Sequence, residues 1–337
     1  MKIWIFLTVS LLSVLAVADQ CPQPASAITP EVSSSIQKDE SGNYIYKYSV
    51  SNGQEAKVPI RLFWVETQAW PQEVKSPLKW RTFEEAKTSA NYVNWMSSVR
   101  TSKISPGQKL DGFEFTTKDR PGLIRAFVLG HNPNYEDKVA YTDVPRAENT
   151  SCPGIWEDGS SVGGNGKVAV LIEGPVSKNQ VSPVLVLRKN SKESWAGSIS
   201  ETETLHRVSP LDNGKLELLI VPDENQRWNL ADIEISSLVF GRGEAKPSSS
   251  RIIKGSYGNF ANPGLGKTIK SALLLTFDIE KVNPLCGIDR ALFLKGKLKD
   301  GKELISGVKI KGVPCTIETW VKEVPKILKH REPSKTE

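Results

Sequence analysis

The chain has 337 residues, with 44 basic and 38 acidic side chains and a net charge of +6. That length suffices for two domains of about 100–200 residues each. The small basic excess is interleaved with acids, which favours an ordinary solvated surface and excludes the strongly basic class of nucleic-acid-binding proteins. We therefore expect no nucleic-acid partner.

The N-terminus is typical of a cleavable secretory signal. Lys2 precedes an apolar run that ends in Ala16-Val17-Ala18, with small residues at the two positions that a signal peptidase reads. The run is shorter than the ~20 residues that a membrane helix needs, which disfavours the alternative of an uncleaved anchor. These features predict a signal peptide over residues 1–18, a secreted or periplasmic protein, and no membrane span after cleavage.

Strand patterns dominate the rest of the first half. Residues 44–50 are dense in aromatic and β-branched side chains, and residues 123–129 follow an Arg-Pro-Gly turn. Short strands separated by Pro and Gly predict a β-sandwich domain over residues 19–148. One helix is predicted over residues 82–96, because Thr82 is followed three residues later by a Glu, the spacing of a capping box.

The second half repeats this pattern after a break. Residues 149–166 are rich in Gly and Ser, which predicts a flexible linker. Residues 167–318 hold several apolar runs and an Asp300-Gly301 pair between two of them, the sequence of a β-hairpin turn. We expect a second β-sandwich there and a frayed tail over residues 319–337. The predicted fold class is all-β, with two β-sandwich-like domains and at most one or two short helices.

The chain has four cysteines: Cys21, Cys152, Cys286 and Cys315. An even number in an exported chain favours disulfides over free buried thiols, and four cysteines allow three pairings. We predict a bridge within each half, joining the first cysteine to the second and the third to the fourth. None of the spacings is that of a zinc site, and the sequence predicts no metal and no cofactor.

The order of features over residues 183–315 resembles a β-sandwich domain that recurs in secreted bacterial proteins. Residues 232–241 read Asp-Ile-Glu-Ile-Ser-Ser-Leu-Val-Phe-Gly, residues 273–277 read Leu-Leu-Leu-Thr-Phe, and residues 294–301 read Leu-Lys-Gly-Lys-Leu-Lys-Asp-Gly. The resemblance implies a β-sandwich, export and a bacterial source. Members of that family commonly carry an acidic calcium-type loop, but residues 246–270 contain no Asp or Glu, so a calcium site is not expected there.

A phosphate-loop-like stretch reads Ala-Asn-Pro-Gly-Leu-Gly-Lys-Thr at residues 261–268. Its first position is Ala where the motif has Gly. It leads into a strand pattern, whereas a phosphate loop opens a helix after a strand. We therefore expect no nucleotide ligand.

Aromatic residues in the first half are the candidate ligand-binding groups: Trp70, Trp80, Trp95 and Tyr92. Aromatic rings on loops can stack on sugars or anchor a protein partner. The alternative is that the tryptophans fill the sandwich core. The preferred hypothesis is a non-catalytic exported protein that binds a glycan or a protein, with no catalytic residue assigned. The alternatives are a secreted hydrolase that uses loop carboxylates and a passive structural protein of an envelope or extracellular assembly.

Overall fold

A computed structural model describes eleven stretches of the chain: residues 27–68, 70–82, 92–98, 102–131, 168–189, 196–197, 206–209, 212–222, 228–254, 271–284 and 289–311. They contain eighteen strands and one single-turn helix, α1 (Ile279–Val282). The first nine strands are β1 (Pro30–Lys38), β2 (Tyr44–Asn52), β3 (Ile60–Glu66), β4 (Glu73–Lys75), β5 (Trp80–Arg81), β6 (Tyr92–Ser97), β7 (Lys109–Thr117), β8 (Arg120–Gly130) and β9 (Val168–Val176). The others are β10 (Gln180–Val181), β11 (Val184–Arg188), β12 (Ala196–Gly197), β13 (Lys215–Val221), β14 (Val239–Phe240), β15 (Ser249–Lys254), β16 (Ser271–Asp278), β17 (Ala291–Lys297) and β18 (Glu303–Lys309).

The N-terminal unit is a sandwich of two antiparallel sheets. Sheet I has the order β1-β2-β7-β4, and sheet II has the order β5-β6-β3-β8-β9. Side chains alternate between the two faces of a strand, so Tyr46, Tyr48 and Val50 of β2 point into the core while Lys47 is exposed. The core between the sheets is aromatic, with Trp95 stacked on Phe63 at 5.4 Å between ring centres.

The C-terminal unit is also a two-sheet sandwich. Sheet III has the order β12-β11-β13-β16-β15, and sheet IV has the order β10-β18-β17-β14, in which β10 and β18 form a parallel pair. The predicted Asp-Gly hairpin is confirmed: β17 and β18 pair as antiparallel neighbours, and Gly301 has a φ of +85° in the turn that joins them. The all-β fold with two sandwich-like units is therefore as predicted.

The predicted helix over residues 82–96 is wrong at its C-terminal end. Tyr92–Ser97 is strand β6, which pairs with both β3 and β5. Val93 and Trp95 point into the core, whereas Tyr92 and Asn94 lie on the opposite face. This two-residue alternation suits a sheet, and pairing with two neighbouring strands overrides the local helix signal.

Strand β9 belongs to the N-terminal unit, whereas the predicted domain division places it in the second domain. It pairs with β8 along nine residues and completes sheet II. Its sequence is apolar at almost every position because one face contributes to the N-terminal core and the other contacts sheet IV. The chain passes between the two units at Ser177–Asn179, after β9 and before β10.

Several predicted features lie outside the described residues. These are the signal peptide, the linker over residues 149–166, the phosphate-loop-like stretch, the tail and all four cysteines. The disulfide pairing stays a prediction. In the part of the chain that is described, no helix combines the length and the hydropathy that crossing a membrane would require.

Candidate functional site

The two units meet where the outer face of sheet II packs against sheet IV. Leu123 and Leu171 of the N-terminal unit contact Ala291 and Phe293 of the C-terminal unit in a small apolar cluster. Gly307 permits this approach, because a Cβ at that position would lie 2.8 Å from Leu171 Cδ1 and 2.9 Å from Phe293 Cδ1. The junction is thus a packed contact between two sheets.

Hydrogen bonds also cross the junction. Ser182 lies just after β10, and its hydroxyl donates to the Leu123 carbonyl at 2.8 Å and accepts from the Leu123 N–H at 3.0 Å. Both groups are buried, where satisfied hydrogen bonds stabilise a defined arrangement. The two units therefore hold the walls of any cavity along the junction in fixed positions.

A cavity of about 360 Å³ opens along this junction, and we call it the narrow pocket. That volume lies within the range of about 300–1,000 Å³ that is usual for small-ligand sites. Its N-terminal wall includes Glu66, Thr67, Gln68, Tyr92, Ile124 and Arg125. Its C-terminal wall includes Phe293, Lys295, Lys297, Leu304 and Ile305. Aromatic, apolar and hydrogen-bonding groups thus line a single cavity.

Thr67 has an unusual environment in the narrow pocket. The residue follows β3 directly and is 5% exposed, and its hydroxyl has no hydrogen-bond partner among the described residues. Leaving a buried hydroxyl unpaired costs about 1–3 kcal/mol. Because this oxygen has almost no solvent-exposed area, Thr67 forms part of the pocket wall and does not offer its hydroxyl to a ligand.

Arg125 is held rigidly beside Thr67. Its Nε donates to Glu66 Oε1 at 2.9 Å, and its terminal nitrogen also contacts that oxygen. The guanidinium lies over two rings, 4.9 Å from the centre of Phe127 and 5.7 Å from the centre of Phe293. An ion pair fixed by stacking presents donors and acceptors at defined positions, as recognition of a polar ligand requires.

A wider cleft of about 1300 Å³ continues from the narrow pocket. The two cavities share Gln68, Val176, Gln180 and Glu303. Gln180 is buried, and its amide donates to Glu303 Oε2 at 3.2 Å. We call the narrow pocket and the wide cleft together the junction groove.

The four predicted aromatic candidates lie in three different places. Tyr92 is half-buried and lines the narrow pocket, opposite Glu66 of the neighbouring strand. Trp70 is half-buried but is not among the residues that line the groove. Trp80 and Trp95, 5% and 0% exposed, fill the N-terminal core. For these two the core alternative holds, and their rings are not available at the surface.

The buried indoles make their own hydrogen bonds inside the unit. Trp80 Nε1 donates to the Ser102 carbonyl at 2.7 Å, and Trp95 Nε1 donates to the Lys75 carbonyl at 3.0 Å. A satisfied N–H is what a structural tryptophan requires. Their role is to hold sheet II, which carries Tyr92.

Sequence reasoning missed most of the groove, including Thr67, Arg125, Phe293, Lys295 and Lys297. The last three residues of that set occupy every second position of β17, alternating with buried Leu294 and half-buried Gly296, a period that marks one outward face. No local signal shows that this face meets sheet II, because the strands involved are far apart in the sequence.

Four carboxylates line the described part of the groove: Glu66, Asp119, Asp300 and Glu303. Asp119 lines the wide cleft, and burial alone raises its pKa, without a contribution from a second acid. Glu66 is engaged by Arg125, and Asp300 pairs with Lys302 at 2.6 Å, which lowers the pKa of Asp300. Among the described residues no three His, Cys, Asp or Glu side chains group as a metal site would need.

Comparison with known proteins does not assign the chain to a family. No protein-family model matches the chain, and no curated protein sequence matches it significantly. The resemblance of residues 183–315 to a secreted bacterial domain therefore stays a prediction.

Proposed function

We propose that this chain is an exported, non-catalytic binding protein that binds an oligosaccharide in the junction groove. The observation that carries the proposal is the narrow pocket, where Tyr92 stands beside the fixed Arg125–Glu66 pair. Export is inferred from the leader-like residues 1–18. A binding role agrees with walls that are rigid before any ligand arrives.

Sugars match the chemistry of this pocket. A sugar ring has an apolar face that packs on an aromatic side chain and hydroxyl groups that hydrogen-bond around its edge. Tyr92 and Phe293 supply rings in the pocket, and Gln68 and the Arg125–Glu66 pair supply donors and acceptors. The groove also continues into the wide cleft, so several linked sugars can occupy it at once.

Titration calorimetry of the purified chain with a panel of oligosaccharides tests this function. At least one member should bind, and Tyr92→Ala should weaken that binding by about 2 kcal/mol, roughly 30-fold, as removal of an aromatic anchor does. Gln68→Ala removes an exposed amide that lines both cavities, and it should weaken binding by about 1 kcal/mol.

Gln54→Ala is the matched control, since Gln54 is also exposed but does not line the groove. It should leave the affinity unchanged. If no oligosaccharide binds, or if Tyr92→Ala and Gln54→Ala bind equally well, the proposal is wrong.

A secreted hydrolase is the second candidate, favoured by the raised pKa of Asp119 in the wide cleft. A raised pKa is a property of general acids. The arrangement has no partner carboxylate acting on Asp119, so the binding function is preferred. Product analysis of a bound oligosaccharide separates the two, because hydrolysis that is abolished in Asp119→Asn would favour the enzyme.

A further inference from the structure

We propose that the wide cleft binds the carboxylates of uronic acid residues, so that the ligand of the junction groove is an acidic oligosaccharide. This inference rests on the proposed glycan-binding function and names the class of glycan. Its basis is a set of basic side chains that the fold gathers in the cleft from separate parts of the chain. Five of them line it: Lys38, Lys118, Arg120, Lys178 and Lys302.

The basic side chains of the cleft outnumber its acids by two. Three acids line the cleft, Asp119, Asp300 and Glu303. Asp300 pairs with Lys302, and Glu303 accepts a hydrogen bond from Gln180. Within the described part of the chain, the other four basic residues form no ion pair. Unpaired cations lining a concave surface attract an anionic ligand.

Arg120 is the one guanidinium among the basic side chains of the cleft. It begins β8 and is half-buried. A guanidinium and a carboxylate form two parallel hydrogen bonds, so a carboxylate satisfies an arginine better than a neutral hydroxyl does.

The four unpaired cations belong to three different segments. Lys38 ends β1, Lys118 and Arg120 flank the β7–β8 turn, and Lys178 lies on the crossover between the two units. Several cations supplied by separate segments suit a ligand with several charges, such as one carboxylate on each sugar.

An aromatic ring accompanies these cations, as it does in the narrow pocket. Tyr44 lines the wide cleft, with Lys38 Nζ 5.5 Å from its ring centre. A ring beside a cation provides a packing surface and a charge for the same sugar. The shared Gln68 and Gln180 make the path from this ring to Tyr92 continuous.

Titration of the full chain with a uronic acid oligosaccharide and with a neutral oligosaccharide of the same linkage tests the inference. The acidic ligand should bind more tightly, and its affinity should fall as salt is added, because screening weakens charge pairing. Arg120→Gln should weaken the acidic ligand by about tenfold or more, the usual effect of losing a charge-assisted hydrogen bond, and leave the neutral ligand within about twofold. Lys178→Gln, at an exposed position, should act in the same direction, and this variant does not depend on a buried group.

Arg251→Gln and Lys57→Gln are the matched controls, since both residues are exposed and lie outside the groove. They should change neither affinity. Equal affinity for acidic and neutral ligands, with Tyr92→Ala still weakening both, would overturn this inference and leave the glycan-binding function intact. Binding of no glycan would overturn both. Tighter binding of a sulfated oligosaccharide or of an acidic peptide, lost in Arg120→Gln, would also overturn the assignment to uronic acids.

Discussion

The two units share an architecture but differ in what fills them. The N-terminal core is built around rings: Tyr46, Tyr48, Phe63, Trp80, Trp95, Phe113 and Phe115. The C-terminal core is mainly aliphatic, with leucines and isoleucines such as Leu218 and Ile220 around Phe240 and Phe277. Aromatic residues fill a sandwich with fewer, larger side chains. Tyrosine and tryptophan also bring polar atoms into the core, and each of those atoms needs a partner.

The difference extends to the junction groove. The N-terminal unit supplies Gln68, Tyr92 and the Arg125–Glu66 pair, and the C-terminal unit supplies Lys295 and Lys297. The rigid aromatic core therefore lies behind the polar recognition groups. Changes in that core should reduce stability first and binding only through misplacement of sheet II.

Trp95→Ala should have the largest effect on the stability of the N-terminal unit. Its ring is fully buried and contacts Phe63, Phe113 and Phe115. The substitution should lower the free energy of unfolding by about 3–5 kcal/mol, as large-to-small core changes do. Denaturant unfolding measures it. Ile252→Ala, at an exposed site on β15, should change stability by no more than about 0.5 kcal/mol, and an equally small effect at Trp95 would contradict the aromatic core.

Removal of the Tyr46 hydroxyl and of the Tyr48 hydroxyl should change the free energy of unfolding in opposite directions. Tyr46 donates to the Asp119 carbonyl at 2.8 Å, whereas the Tyr48 hydroxyl is buried without a partner among the described residues. Tyr46→Phe should therefore lower the free energy of unfolding by about 1 kcal/mol, and Tyr48→Phe should raise it by a similar amount. Thermal and denaturant unfolding of both variants check the signs. A loss of stability in Tyr48→Phe would show that this hydroxyl is satisfied.

Substitution of Asp119 should have the smallest effect on stability, and that effect should depend on pH. Burial raises the pKa of its carboxyl in the folded protein above the unfolded value. As pH rises from the unfolded pKa through the folded pKa, the unfolded state loses its proton first, so stability falls. Asp119→Asn removes this loss, and the variant should be more stable than the wild type at neutral pH, with the gain decreasing toward low pH. A gain that is the same at every pH would contradict the prediction.

The sequence predicts local features of this fold well. The aromatic and β-branched residues over 44–50 predict strand β2, and Asp300-Gly301 predicts the β17–β18 hairpin. Both signals act over a few residues, where side-chain period and turn chemistry decide the conformation.

Long-range pairing is what the sequence does not show. The apolar run of β9 indicates a strand but not which sheet it joins, and β6 has a local helix signal that sheet pairing overrides. The groove depends on the same kind of information, since Glu66, Arg125 and Phe293 meet only after both units have folded. Of the aromatic candidates, Tyr92 lies in the groove, and two tryptophans lie in the core instead.

Hydrogen–deuterium exchange with and without a saturating acidic oligosaccharide tests the central claim most directly. If the junction groove binds the ligand, backbone amides of β3, β6 and β17, whose residues line the narrow pocket, and those around Lys38, Tyr44 and Lys118 in the wide cleft should become more protected, and those of sheet III should not. Protection confined to sheet III, with the groove strands unchanged, would contradict the account.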